Sequence, residues 1–324
     1  MPTAGVEPTI VAPVKHLVIP FSKLTAENCG IVAVRGRTAI AALGGGKIGR
    51  VLRSRFMAAI QRLESIANRG NYGLSPADLQ SDVEAIAVAT DFFQIAGALP
   101  STFSDNMADD LAQALEGRLG PNGTSRVAEQ FLTQFWFGLV LVHGGISPRV
   151  LKRRSAVTPD YIVEVDKMPI AVEVKRPESL RSATDTMDHA ASQLRKFGKP
   201  GFIAMDLTDA LTLTPDMPVV WMEEPGLLHD VIKGQFGLHT DRLEDRARKY
   251  RRSDKYNHVI GLTLFMRLHF WEKPDLSQPK GSCFFSAVTL ERAYSGILLD
   301  TARNLNRIVM GGASEVAGGA VHKL

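Results

Sequence analysis

Two short runs of β-branched and aromatic residues, Tyr161-Ile162-Val163-Glu164-Val165 and Ile170-Ala171-Val172-Glu173-Val174, flank Asp166-Lys167-Met168-Pro169. This arrangement constrains the fold more than any other stretch of the chain. Alternating residues of that kind form strands, and a short loop between two such runs makes a β-hairpin. Opposed residues of an antiparallel pair point to the same face, and side chains alternate along each strand. With an even-numbered loop over 166–169, Asp160 falls opposite Lys175 and Ile162 opposite Glu173. Asp160, Glu173 and Lys175 then share one face. Two carboxylates and an ammonium among Ile, Val and Ala are costly to bury unless they pair or hold a metal. Glu164 shares that face by parity, and suits a solvated or salt-bridged residue better than a ligand.

Helices and further strands surround the hairpin. The 324 residues, 45% of them hydrophobic and 22% charged, are those of a globular protein with room for one large domain or two ordinary ones. Residues 1–25, with prolines at 2, 8, 13 and 20, read as an irregular arm or an edge strand. The pattern over 1–120 is then mainly helical. Apolar residues recur at helical spacing from Lys47 to Asn68 with Gly70 as the stop, and Ser75-Pro76 starts a helix expected to end near Ala96, ahead of Pro100. Ser104 caps a further helix over 105–118. Gly120-Pro121-Asn122-Gly123 breaks the chain and predicts a second domain over 121–310. Within it come a helix from near Ser125, the hairpin, a helix over 183–197, strands over 201–207, 258–271 and 284–288, and a closing helix over 290–308. Gly311-Gly312 and Gly318-Gly319 mark residues 311–324 as a mobile tail.

No apolar run approaches the roughly 20 residues that span a bilayer, and the first residues lack the basic-then-apolar order of a secretory signal. Cys29 and Cys283 belong to no paired or metal-binding motif. A cytoplasmic protein with reduced thiols and no membrane partner is the expectation.

The shared face of the hairpin suits phosphodiester hydrolysis. Mg²⁺ prefers hard oxygen ligands and keeps part of its hydration shell; it lowers the pKa of bound water and neutralises charge developing on phosphate. Lys175 would position or help deprotonate the attacking water. At these residues the chain resembles the PD-(D/E)xK nuclease superfamily: Pro159-Asp160 corresponds to PD, and Glu173-Val174-Lys175 to ExK. The family core runs through a helix, a mixed sheet containing the hairpin, a second helix and a further strand, the order read over 125–207. The resemblance implies an α/β fold with a restriction-endonuclease-like mixed β-sheet core flanked by helices. It implies Mg²⁺-dependent cleavage, Mn²⁺ substituting, with DNA as the favoured partner and endonuclease action slightly favoured over exonuclease. Asp160 and Glu173 would hold the metal, and Glu129 on the preceding helix would add a contact. Gln193-Leu194-Arg195-Lys196-Phe197 matches the QxxxY of some exonuclease branches except that Phe stands for Tyr. Restriction, phage defence and repair are the roles the family brings, and a homodimer would let both strands of a duplex be cut.

Several of these residues have plainer readings. Glu129 can simply serve a helix N-terminus, Glu64 on an earlier helix competes for its role, and Gln193 and His189 can be polar helix residues. The stretch Arg246 to Lys255 holds six basic residues in ten positions. Arg246, Arg248, Lys249, Arg251 and Arg252 there, with Lys152, Arg153 and Arg154 upstream of Pro159, suit phosphate contacts, which position a duplex without reading its sequence. The net charge of +4 is mild, so this clustering matters more than the total. Gly44-Gly45-Gly46-Lys47 is no phosphate-binding P-loop, because Ala41 and Ile48 stand at the required Gly and hydroxyl positions. Two further readings stay open: a non-catalytic nucleic-acid-binding module of the same fold, and a regulatory protein-interaction domain whose hairpin charges are surface ion pairs.

Overall fold

A computed structural model of the protein describes residues 15–19, 25–43, 54–73, 75–102, 110, 113–114, 126–151, 157–211, 225–250, 258–271, 279–289 and 296–322. In chain order the elements are β1 (Lys15–Ile19), α1 (Ala26–Leu43), α2 (Arg55–Arg69), α3 (Pro76–Thr102), α4 (Arg126–His143), β2 (Tyr161–Val165), β3 (Met168–Lys175) and α5 (Leu180–Phe197). They continue with β4 (Gly201–Asp206), α6 (Thr208–Leu211), α7 (Pro225–Tyr250), β5 (Val259–Trp271), β6 (Pro279–Thr289) and α8 (Gly296–His322). The predicted break at 120–123 and nearly all of the predicted 105–118 helix lie outside the described residues, as does the 44–47 glycine run. None of the helices, over the described residues, is long and apolar enough to cross a membrane.

Six strands make one mixed sheet in the order β1-β6-β5-β4-β3-β2, with helices packed against it. The hairpin β2–β3 is antiparallel, β3, β4 and β5 run parallel, and β6 and β1 return antiparallel. The expected sequence of helix, hairpin, helix and strand over 125–207 is therefore formed by α4, β2–β3, α5 and β4. Of the two readings of residues 1–25, an irregular arm or an edge strand, residues 15–19 take the second: they form β1, which pairs with β6 at the end of the sheet.

The hairpin turn is tighter than the four-residue loop expected. Asp166 and Lys167 alone make it, at φ 51° and 64°, the left-handed pair whose twist matches that of the strands. Met168 and Pro169 join β3, pairing with Val165 and Glu164. Proline is tolerated there because it precedes the first β4 pairing, at Ala171, and lies at a position of the β2–β3 ladder that exchanges no N–H bond. The register slips by two residues, not one, so every side chain keeps its face. Continued past Tyr161↔Val172, this register sets Asp160 opposite Glu173 instead of Lys175.

Alternation divides the sheet between two apolar layers. Tyr161, Val163, Val165, Ile170, Val172 and Val174 join a core with α4, α8 and the helices α1 to α3. Ile162, Ala171, Ile203 and Met205 pack under α5 and α7. The helices before residue 120 thus share a core with the sheet. Phe265 of β5 stacks on Trp136 and Phe137 of α4, with centroids 5.2 and 5.9 Å apart, anchoring α4 over the strands.

Two helix ends depart from expectation. α3 runs to Thr102, two residues beyond Pro100, because a proline in the last turn removes a single bond. The predicted mobile tail is instead the second half of α8 through His322. Gly312 is there for close packing: a Cβ would sit 1.8 Å from the Val140 carbonyl oxygen, and one on Gly144 would sit 2.5 Å from that of Ile308. These two glycines let α4 and α8 touch backbone to backbone.

Candidate active site

The site forms where β3 outruns its partner. Ala171 donates its N–H toward the β4 side, to the carbonyl of Pro200 at 2.8 Å, so the alternate residues Val174 and Arg176 turn their backbone groups to the β2 side. β2 pairs no further than Val172. Side chains take over the missing ladder. Val174 N–H donates to Asp160 Oδ2 (2.8 Å), Gln130 Nε2 donates to the Val174 carbonyl (2.7 Å), and Arg176 N–H donates to Gln130 Oε1 (2.9 Å). Gln134, one turn along α4, donates from Nε2 to Asp160 Oδ1 at 2.8 Å. The buried Tyr161 hydroxyl donates to the Gln134 carbonyl at 2.6 Å and ties α4 to β2.

Asp160, Glu173 and Lys175 converge on an open pocket of about 770 Å³ at this strand end. Glu173 is only 2% exposed, and its Oε1 is paired with the Lys175 ammonium. The pocket is completed by Arg126, Gln130, Phe131 and Gln134 of α4, and by Asp185, Thr186, His189 and Gln193 of α5. Among the described residues its charged lining is Arg126, Lys175 and Arg176 with Asp160, Glu173 and Asp185. The donor set suits Mg²⁺, which is held by one or two carboxylates together with water and substrate phosphate. Among the described residues no group of three or more His, Cys, Asp or Glu side chains gathers to make an all-protein cage.

Of the sequence-predicted site residues, Asp160, Glu173, Lys175 and Gln193 line this pocket together, as does His189. Glu129 does not. It lies one residue, about 100° of helix rotation, from Gln130, and points into a buried charge cluster. Its carboxylate is gripped by Arg55 of α2 and by Arg176 Nη1 at 3.0 Å. Glu64, its competitor, pairs at the surface with Arg37. Arg246 reaches Asp188 of α5, Nε to Oδ1 at 3.2 Å; Arg248 is in the last turns of α7, and Lys249 there is exposed. Lys152, Arg153, Arg154, Arg251 and Arg252 fall outside the described residues.

The charge cluster behind the pocket was not anticipated. Arg176 forks onto Asp209 with two bonds of 2.7 Å and reaches Asp206 at 3.4 Å. Arg267 of β5 reaches Asp206 at 3.5 Å and Asp91 of α3 at 2.9 Å, and lies 4.7 Å over the Trp136 ring. Burial pushes the Glu129 carboxyl up, but the Arg176 and Arg55 charges outweigh it and hold it down at about 2. Asp206, wholly buried, is raised by burial and more strongly lowered by Arg176, Arg267 and its bonds from Thr208. The signals were in the sequence: a polar stripe at 129, 130, 133 and 134 on an otherwise apolar helix, and an arginine inside the apolar β5 run.

A depressed carboxyl stabilises the fold above its unfolded value, here 4.5, and loses that contribution as pH falls toward the folded value of about 2. Denaturant unfolding at pH 7, 4.5, 3 and 2 is expected to show Glu129→Gln less stable than the parent by on the order of 3 kcal/mol at pH 7. The gap should close progressively below pH 4.5. A gap that stays constant down to pH 2 would show that Glu129 is not held ionised by its arginines.

No protein-family model, curated protein or solved structure matches this chain.

Proposed function

We propose that the protein is a metal-dependent nuclease with a restriction-endonuclease-like core, which hydrolyses phosphodiester bonds, DNA being the favoured substrate, in the pocket at the end of β3. The observation that carries this reading is the convergence of Asp160, Glu173 and Lys175 in one open pocket, two acids and an ammonium on a strand end held rigidly by side chains. Asp160 and Glu173 would hold Mg²⁺, or Mn²⁺ in its place; the ion would lower the pKa of bound water and offset charge developing on the phosphate. A divalent cation held there would add positive charge to attract the phosphate. Lys175 orients the attacking water and stabilises the transferring phosphate. Arg126, at the pocket mouth and paired with Glu178 at 2.9 Å, is placed to meet a neighbouring phosphate.

The test is cleavage of supercoiled plasmid and of single-stranded DNA in Mg²⁺ by the parent and by an Asp160→Asn/Glu173→Gln double variant. The parent is expected to cut and the folded variant to lose at least about 10³-fold in rate, the scale of removing cooperating catalytic groups. A parent that binds DNA in a salt-sensitive way and never cuts would favour a binding module of the same fold. No DNA binding at all would favour a protein-interaction role.

A further inference from the structure

We propose that Gln130 and Gln134 are positioning residues of the metal site: these two α4 glutamines preform it by holding Asp160 and the Val174–Arg176 backbone in place. This rests on reading the pocket as a metal-dependent nuclease site. The sheet holds this region on the β4 side only, through Lys175↔Met205; on the other side β2 has ended, and the N–H and C=O of Val174 face an edge along which, among the described residues, no strand continues. Unmatched backbone groups at a half-buried edge would let β3 fray where its functional side chains sit. Gln130 acts as one residue of a substitute strand, its amide donating to the Val174 carbonyl and accepting from Arg176 N–H, which brackets Lys175 from both sides. Gln134 fixes the other component. With Gln134 Nε2 on one carboxylate oxygen and Val174 N–H on the other, Asp160 is set in one rotamer, facing Glu173 across the hairpin.

The spacing is what makes the device work. Positions i and i+4 of a helix lie on one face, so a single docked helix reaches both the loop ahead of β2 and the open edge of β3. The docking is firm: the Tyr161 hydroxyl bonds the Gln134 carbonyl, and Phe135 and Trp136 next to it are buried. Outer partners that orient ligating carboxylates contribute to affinity without touching the ion, and their loss typically weakens metal binding by about 10- to 100-fold.

Mn²⁺ affinity, read from the free-ion electron paramagnetic resonance signal without any nucleic acid, tests this. The parent is expected to bind. Gln134→Met, which keeps the shape and removes the donor, should bind about 10- to 100-fold more weakly, and Gln134→Asn, too short to reach Asp160, should follow it if the first variant folds poorly. Gln130→Met should show a similar loss. Val140→Ala, on the same helix away from the pocket, is the control: its melting temperature should fall while Mn²⁺ affinity stays that of the parent. Gln134 and Gln130 variants that bind Mn²⁺ within twofold of the parent would overturn the positioning role and leave the nuclease reading standing. A parent that binds no Mn²⁺ would overturn both.

Discussion

Lys175→Arg is expected to fold like the parent and to cleave DNA about 10²- to 10⁴-fold more slowly, the range for removal of a positioned proton-handling group. The substitution isolates chemistry from charge. Lys175 sits at the end of β3 against the nearly inaccessible Glu173 carboxylate, and arginine keeps a positive charge there, so Glu173 stays compensated. Arginine, however, spreads its charge over a planar fork and gives up no proton, whereas an ammonium is a compact point donor that can orient one water. Thermal unfolding of the variant within a few degrees of the parent, together with the rate loss, is the expected result. If Lys175→Arg cuts within threefold of the parent, position 175 supplies only positive charge and the water-activating role assigned to it is wrong. Lys175→Met behaves differently on this argument. It leaves Glu173 buried without its ammonium, so stability itself should fall, by about 3–5 kcal/mol, and rate measurements on it would confound folding with catalysis.

The alternation of Tyr161 to Val165 and of Ile170 to Val174 made the hairpin and its chemical face legible, since strand periodicity is local and survives a two-residue error in turn length. The order of α4, hairpin, α5 and β4 was legible for the same reason. Which residue of α4 enters the pocket was not. Residues 129, 130, 133 and 134 are all polar, and a rotation of one residue exchanges Glu129 for Gln130; only the seating of Phe135, Phe137 and Trp136 against the sheet decides it. Gly312 misled because glycine serves both mobility and close approach, and the distinction lies in a partner helix some 170 residues earlier, at Val140. Asp206 and Arg267 are each a charged residue within an apolar strand, which by itself says nothing of a partner. Their pairing across adjacent parallel strands is tertiary information, and so is the joining of Arg55, from a helix before the predicted domain boundary, to Glu129 and Arg176.

That cluster sets the second large effect. Arg176→Met is expected to destabilise the protein by about 3–5 kcal/mol at neutral pH, the scale for removing one member of a buried ion pair. Arg176 has a side chain 10% exposed and faces Glu129, Asp206 and Asp209, so its loss leaves Asp206 ion-paired with Arg267 and Glu129 with Arg55 among the described residues. The surface pair Arg37–Glu64 has the same fork geometry, with two bonds of 2.7 and 2.8 Å, but its side chains are 45% and 36% exposed. Arg37→Ala should therefore cost less than about 1 kcal/mol. Solvent access, not bond count, separates the two. Denaturant unfolding of both variants measures the contrast directly, and Arg176→Met/Glu129→Gln should lose less than the two single losses added, because the second change removes a charge that the first has left exposed to its full desolvation cost. Equal, small losses from Arg176→Met and Arg37→Ala would mean that the cluster is hydrated and adds nothing to the fold. A large loss at Arg176 ties the stability of the protein to the residue that follows Lys175 in the chain, so that the strand end carrying the proposed chemistry is also the point where α2, α4, β4 and β5 are held together.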